Sequence, residues 1–229
     1  MGNRVLITRL MAAVACLTIW CGTAGASGGS GVTPDEALKK LITGNNNFVG
    51  QKMTSHKMST KGVRESLAKG QKPYAIILSC SDSRVPPEVI FDKGLGEIFV
   101  IRVAGNIPDP IVLGSIEYAA EHLGSPLIMV LGHERCGAVT AAVDAKGKAE
   151  GNIGAIVTTI APAVAKAKKE YAGKDKARFV ETAVDENIKL VRASLTKNSS
   201  VIRHLVEAGK VRIVGAKYDL DDGKVTLFP

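Results

Sequence analysis

Aromatic side chains are scarce in this 229-residue sequence, which holds one tryptophan, four tyrosines and five phenylalanines. The 30 lysines and arginines fall mostly on what read as helix faces, without aromatics between them, and no nucleic-acid-binding motif is present. The formal charge of +8 therefore reads as solvated surface, compatible with a weak pull on small anions but not with nucleic acid as a partner. Long apolar runs are missing as well. The run at residues 10–20 is too short to span a bilayer comfortably, and nothing later approaches the roughly 18 apolar residues of a transmembrane helix. Internal repeats are absent, and the only low-complexity tract is a short Gly/Ser stretch, SGGSGV at 27–32. Cysteine is the last scarcity, with four in all: Cys16, Cys21, Cys80 and Cys136.

The N-terminus accounts for two of those cysteines. Arg4 and Arg9 precede the apolar run, and Ala24-Gly25-Ala26 follows it, which is the layout of a secretory signal peptide with cleavage after Ala26. Cleavage removes Cys16 and Cys21 and leaves 203 residues. Two arginines and no acidic residue are lost, so the charge falls from +8 to +6. The mature chain is expected to be soluble, periplasmic or secreted, with no membrane partner. Lipidation at Cys16 is the rival use of this segment, disfavoured because Ala13 stands where that motif usually has leucine. The remaining length suits one domain with a sizeable core, residues 33–229, behind a flexible lead-in at 27–32.

Within that domain, Thr33, Pro34, Asp35 and Glu36 form a helix start with a capping-box glutamate, and Asn45, Asn46 and Asn47 read as punctuation after it. Residues 50–70 read as a polar arm or loop with a short helix. Four apolar runs follow, at 74–80, 97–103, 126–132 and 211–218, with the near-continuous apolarity of strands covered on both faces. Helical patterns at 111–123, 153–171 and 180–195 alternate with them. The expected fold is α/β: a mostly parallel central sheet of about four strands, flanked by helices, with an N-terminal helical arm. A turn at Asp222-Gly223 feeds an antiparallel edge strand over 224–228.

The chemistry lies in two segments, CSDSRVPPE at 80–88 and HERCG at 133–137. Cys80 ends one predicted parallel strand, and His133 and Cys136 stand just beyond another, at the sheet edge where open α/β sheets bind ligands. If those strands are neighbours, the three side chains converge. In an oxidising compartment Cys80 and Cys136 could instead form one disulfide. Two thiolates and an imidazole suit Zn²⁺ and leave a fourth tetrahedral position open, as catalytic zinc sites do. Asp82 and Arg84 weigh toward the metal, because a carboxylate two residues from a ligand can bind the ion or hold its water, and an arginine can hold the carboxylate. A disulfide needs neither.

Together these segments, with GEIFVIRVAGN at 96–106, EYAAEHLG at 117–124 and VLGHERCGAV at 130–139, resemble the β-class carbonic anhydrases from about Thr33 to the C-terminus. The resemblance implies Cys80, His133 and Cys136 as ligands of one Zn²⁺ per subunit, and Asp82 and Arg84 as the catalytic dyad. Asp82 is a possible fourth ligand in a closed state. Gln71 is implied to bind substrate across a dimer interface. The implied reaction is reversible hydration of CO₂ to bicarbonate and a proton through zinc-bound hydroxide, in a homodimer or larger homo-oligomer that exchanges N-terminal helices. Hydrolysis of CS₂ or COS by the same chemistry, a zinc-binding module without turnover, and a disulfide-linked binding protein are the alternatives. Arg102 matches the arginine of an inhibitory bicarbonate pocket found in one subgroup, but Ile77 stands where that pocket has tryptophan. His122 and His204 read as surface or packing residues, and His56 as a possible proton relay in the polar arm.

Overall fold

Four short apolar runs lie side by side as parallel strands in the computed structural model, which describes residues 29–55, 59–145, 147 and 151–229. The segment read as a signal peptide, with Cys16 and Cys21, lies outside the described residues, as do the start of the lead-in and His56. The strands are β1 (Ala75–Ser79), β2 (Ile98–Arg102), β3 (Leu127–His133) and β4 (Arg212–Tyr218), joined by β5 (Val225–Leu227), which runs antiparallel to β4. Their spatial order is β2-β1-β3-β4-β5. Every residue of β1 and β3 is buried, as parallel strands covered on both faces require. β2 forms one edge, with Ile98 to Ile101 only half-buried.

The order places β1 directly beside β3, with Ser79 level with Leu131. Both strands therefore deliver their C-terminal ends to one edge of the sheet, which is the step that sequence alone left conditional.

Among the described residues, eight α-helices surround the sheet: α1 (Pro34–Val49), α2 (Lys61–Leu67), α3 (Pro87–Ile90), α4 (Pro110–Glu117), α5 (Gly137–Asp144), α6 (Ile153–Glu170), α7 (Lys176–Asn198) and α8 (Ser200–Glu207). The pattern read at 111–123 forms α4 and then a wider turn, Tyr118–His122, in which the Leu123 amide donates to the Tyr118 carbonyl. No helix among the described residues is long and apolar enough to cross a membrane.

α1 begins as the capping box predicts, with Thr33 Oγ1 accepting from the Glu36 amide, but it does not stop at the asparagines. Asn45 is buried; its Nδ2 donates to the carbonyls of Ile90 (3.2 Å) and Gly223 (2.9 Å), and its Oδ1 accepts from the Val225 amide (2.9 Å). These tertiary bonds outweigh the weak intrinsic preference of asparagine against helix. Gly44 allows the approach, since a Cβ there would lie 1.7 Å from the Phe91 carbonyl oxygen. Two helices went unread in the sequence, α3 and α5, both too short for a clear apolar period. α8, whose stretch around His204 reads as helix-like, follows α7 after only Ser199, whose Oγ accepts from the Ile202 amide.

Candidate metal centre

β1 ends at Ser79 and presents Cys80, and β3 ends at His133. A tight turn follows, with Arg135 at φ 49°, and puts Cys136 at the N-cap of α5. The ligand atoms of Cys80, His133 and Cys136 all lie within 4.8 Å of one another, and the three residues are between 1% and 4% exposed. Neither cysteine is in a disulfide.

The donor set fits a zinc ion on the state of its atoms. His133 Nδ1 lies 2.8 Å from the Glu134 carbonyl oxygen, which can only accept, so Nδ1 carries the proton. The buried Nε2 is left without a hydrogen-bond partner among the described residues. Such an orphaned atom costs about 1–3 kcal/mol, and a cation facing it would remove that cost. The Gly105 amide donates to Cys80 Sγ at 3.3 Å. A hydrogen bond from the Cys136 thiol is the largest of the contacts that lower the Cys80 pKa to about 4 against the opposing effect of burial, ahead of the His133 ring and of the Gly105 and Asp82 amides. The neighbouring Cys80 sulfur and burial push the Cys136 thiol up instead. The pair thus shares one proton, with Cys80 the preferred thiolate, and a divalent cation is what would hold both as thiolates.

Asp82 and Arg84 form a bidentate pair beside this cluster. Arg84 Nε donates to Asp82 Oδ1 at 2.9 Å and Nη2 donates to Oδ2 at 2.7 Å, while the Arg84 amide also donates to Oδ1. These bonds from Arg84 hold the Asp82 carboxyl well below the usual carboxylate range. The Asp82 side chain is 17% exposed and that of Arg84 53%, so the dyad stands between the buried cluster and solvent.

Five of the six residues singled out in the sequence thus come together. Gln71 does not join them: it is exposed and lines a groove with Arg64, Leu67, Leu95 and Gly96, at the opposite end of β1 from Cys80. Three contributors to the site escaped the sequence reading. The Glu134 carbonyl fixes the His133 tautomer. Gly105, at φ +75°, aims its amide at Cys80; the turn signal AGN was visible, but its target was not. Arg102, which in sequence only matches the arginine of an accessory anion pocket whose tryptophan is missing here, donates from Nε to the Cys80 carbonyl (3.0 Å) and from Nη2 to the Asp82 carbonyl (2.6 Å). Ile77 is wholly buried in β1. His204 is exposed in α8 and the His122 ring lies tilted against that of Tyr118, both away from the cluster.

A family model for carbonic anhydrase matches residues 75–225. Carbonic anhydrase 2 of Mycobacterium tuberculosis is 41% identical over 197 residues, covering 85% of this chain and 92% of that protein. The carbonic anhydrase of Mycolicibacterium smegmatis is 41% identical over 199 residues, with 85% and 93% covered. Among solved structures, the β-carbonic anhydrase CcaA superposes with a TM-score of 0.68 at 26% identity, covering 84% of this chain and 95% of that one. A tetrameric β-carbonic anhydrase from the ascomycete Sordaria macrospora gives 0.68 at 25% identity, with 83% and 96% covered. Matches of this extent span the sheet, the thiol–imidazole cluster and the carboxylate–guanidinium pair together, so the chain belongs to the β-class carbonic anhydrases.

Proposed function

We propose that Cys80, His133 and Cys136 hold one Zn²⁺, and that Asp82 and Arg84 act beside it in the reversible hydration of CO₂ to bicarbonate. The observation that carries this reading is the buried cluster of two sulfurs and one orphaned imidazole nitrogen, flanked by a carboxylate held at both oxygens by arginine. Zinc bound there would supply a Lewis acid that lowers the pKa of water to about 7, which makes a nucleophile available at neutral pH. The chain's own residues do the rest. Asp82 stays ionised under Arg84 and accepts a hydrogen bond from the attacking water, turning its lone pair toward the substrate carbon. Arg84 keeps that carboxylate in place, and the burial of the three ligands keeps bulk water from competing for them.

Gln71 enters this reading only through a second subunit, since its own site lies at the other end of β1. A homodimer is the minimum assembly we infer. The free edge of β2 supports it, as do the exposed Ile111 (80%), Tyr118 (49%) and Leu95 (47%), a concentration of apolar surface near one edge of the sheet that favours a partner. Export by cleavage after Ala26 remains our reading of residues 1–26, and N-terminal sequencing of the mature protein beginning at Ser27 would bear it out.

Stopped-flow CO₂ hydration on the purified mature chain tests the activity, with Cys136→Ser beside it. Rapid, zinc-dependent proton release that the substitution abolishes is expected. No release from zinc-loaded protein at about pH 8.5, where the nucleophile should be fully formed, overturns the reading.

A further inference from the structure

A buried asparagine in the middle of an apolar helix face is an uncommon choice, because its amide must find partners inside the protein. Asn187 is such a residue. It sits in α7 among the buried Val184, Ile188 and Val191 and is 3% exposed. Its Nδ2 donates to the Gly105 carbonyl at 2.9 Å. The Gly105 amide in turn donates to Cys80 Sγ at 3.3 Å. The two peptide groups that meet at the Gly105 Cα are therefore joined in series, one held by α7 and the other pointing at the thiol.

Gly105 is the flexible link in this series. Its backbone is left-handed, at φ +75°, a conformation that strains any other residue, and a Cβ there would crowd Ile160 Cδ1 at 2.7 Å and the Ala138 Cβ at 3.3 Å. A glycine chosen for lack of a side chain also rotates freely unless its peptides are tied. The amide side of the Gly105–Asn106 peptide is held by the Val103 carbonyl, which accepts from the Asn106 N–H at 2.9 Å, and since the buried Asn106 Nδ2 has no partner among the described residues, Asn187 supplies the side-chain anchor of the carbonyl side. We infer that Asn187 is a positioning residue for the Cys80 thiolate, fixing through Gly105 the amide that tunes this metal ligand.

The inference rests on the zinc reading above, and its test separates the two. Asn187→Leu keeps the branching of the side chain without the donor, Asn187→Ala removes the side chain, and Val191→Ala trims the same buried helix face without touching a hydrogen bond. Zinc release to an excess of chelator is timed for each protein, and the thiolate-to-metal charge-transfer band is recorded after cobalt substitution. The Asn187 variants are expected to release zinc about tenfold faster, the size of effect typical of outer partners of a ligand. Their cobalt band should move to lower energy, because a thiolate that loses a donor holds its electrons less tightly. Val191→Ala should leave both readouts unchanged. Asn187 variants that behave as wild type overturn the inference, and so does a Val191→Ala protein that matches them. Two Asn187 variants that both fail to fold make the residue a structural one and overturn it equally. A wild-type protein that takes up no zinc overturns the metal reading, and this inference with it.

Discussion

Asp82 Oδ2 lies 3.9 Å from His133 Nε2. The same oxygen accepts from Arg84 Nη2 at 2.7 Å, so the carboxylate is held within reach of the imidazole nitrogen without bonding to it. A cation placed against Nε2 would therefore meet a carboxylate already committed to a guanidinium. Whether Asp82 serves as a hydrogen-bond acceptor or drifts toward the cation is decided by Arg84.

Arg84→Ala releases Asp82 from its bidentate partner and returns its pKa toward the usual value of about 3.9. The expected result is a fall in kcat/KM of about 10²-fold, the scale of loss when a catalytic group is misplaced by about 1 Å, with zinc content unchanged. Arg84→Lys should restore little of it, because one ammonium cannot reproduce the two-point fork. Metal analysis beside steady-state CO₂ hydration checks both. Wild-type kinetics in the alanine variant would remove Arg84 from the mechanism.

Arg102 acts one layer further out. Its guanidinium bridges the carbonyls of Cys80 and Asp82, so it fixes the backbone of a proposed ligand and of its neighbouring carboxylate together. Arg102→Ala is expected to weaken zinc binding about tenfold, measured by competition with a chromogenic chelator. Arg102→Lys should recover only part of that loss, since a single nitrogen cannot span both carbonyls with the same geometry. Unchanged zinc affinity in the alanine variant would reduce Arg102 to a surface charge.

The parallel sheet was readable because β1, β3 and β4 are apolar runs of strand length separated by helical periods, and the sheet order then followed the expectation that made Cys80 and His133 converge. The site was readable because its side chains carry distinctive chemistry at short spacing. What escaped was chemistry done by backbone and by distant residues. The Glu134 carbonyl and the Gly105 amide have no side-chain signature, and Asn187 lies 82 residues from the glycine it holds. The Asn45-Asn46-Asn47 triplet misled for a related reason. Local propensity argued for a break, whereas the bonds that keep Asn45 helical go to Gly223 and Val225, near the opposite end of the chain.

Asn45→Ala tests that last point. The substitution strands the Ile90 and Gly223 carbonyls and the Val225 amide in a mostly buried setting. Each unsatisfied group costs about 1–3 kcal/mol before relaxation, so a net loss of at least ~2 kcal/mol is expected. For a chain of this size that corresponds to a fall in Tm of roughly 4–8 °C, read by calorimetry or circular dichroism. Because α1 and β5 are joined through this residue, amide exchange should quicken in both. A Tm within 1 °C of wild type, a shift worth less than about 0.5 kcal/mol, would mean that α1 is held by its apolar face alone.

The two thiols make a prediction of opposite signs in protein stripped of metal. Cys80, with its pKa lowered to about 4, is ionised in the folded chain where an unfolded thiol, at about 8.5, is not. Its ionisation therefore contributes stability that is complete above about pH 8.5 and is lost as pH falls through the window down to about 4. Cys136 is pushed up, so its neutral form is favoured, and its contribution is present below about pH 8.5 and lost as pH rises beyond it. Stability of the stripped protein should pass through a maximum near that crossing. Thiolate absorbance near 240 nm should report one thiolate per chain already present at about pH 6 and the second still missing at about pH 10, both outside the ordinary thiol range. Cys80→Ser should abolish the early thiolate. A single step of two thiolates centred near 8.5 would mean that the sulfurs do not share a proton.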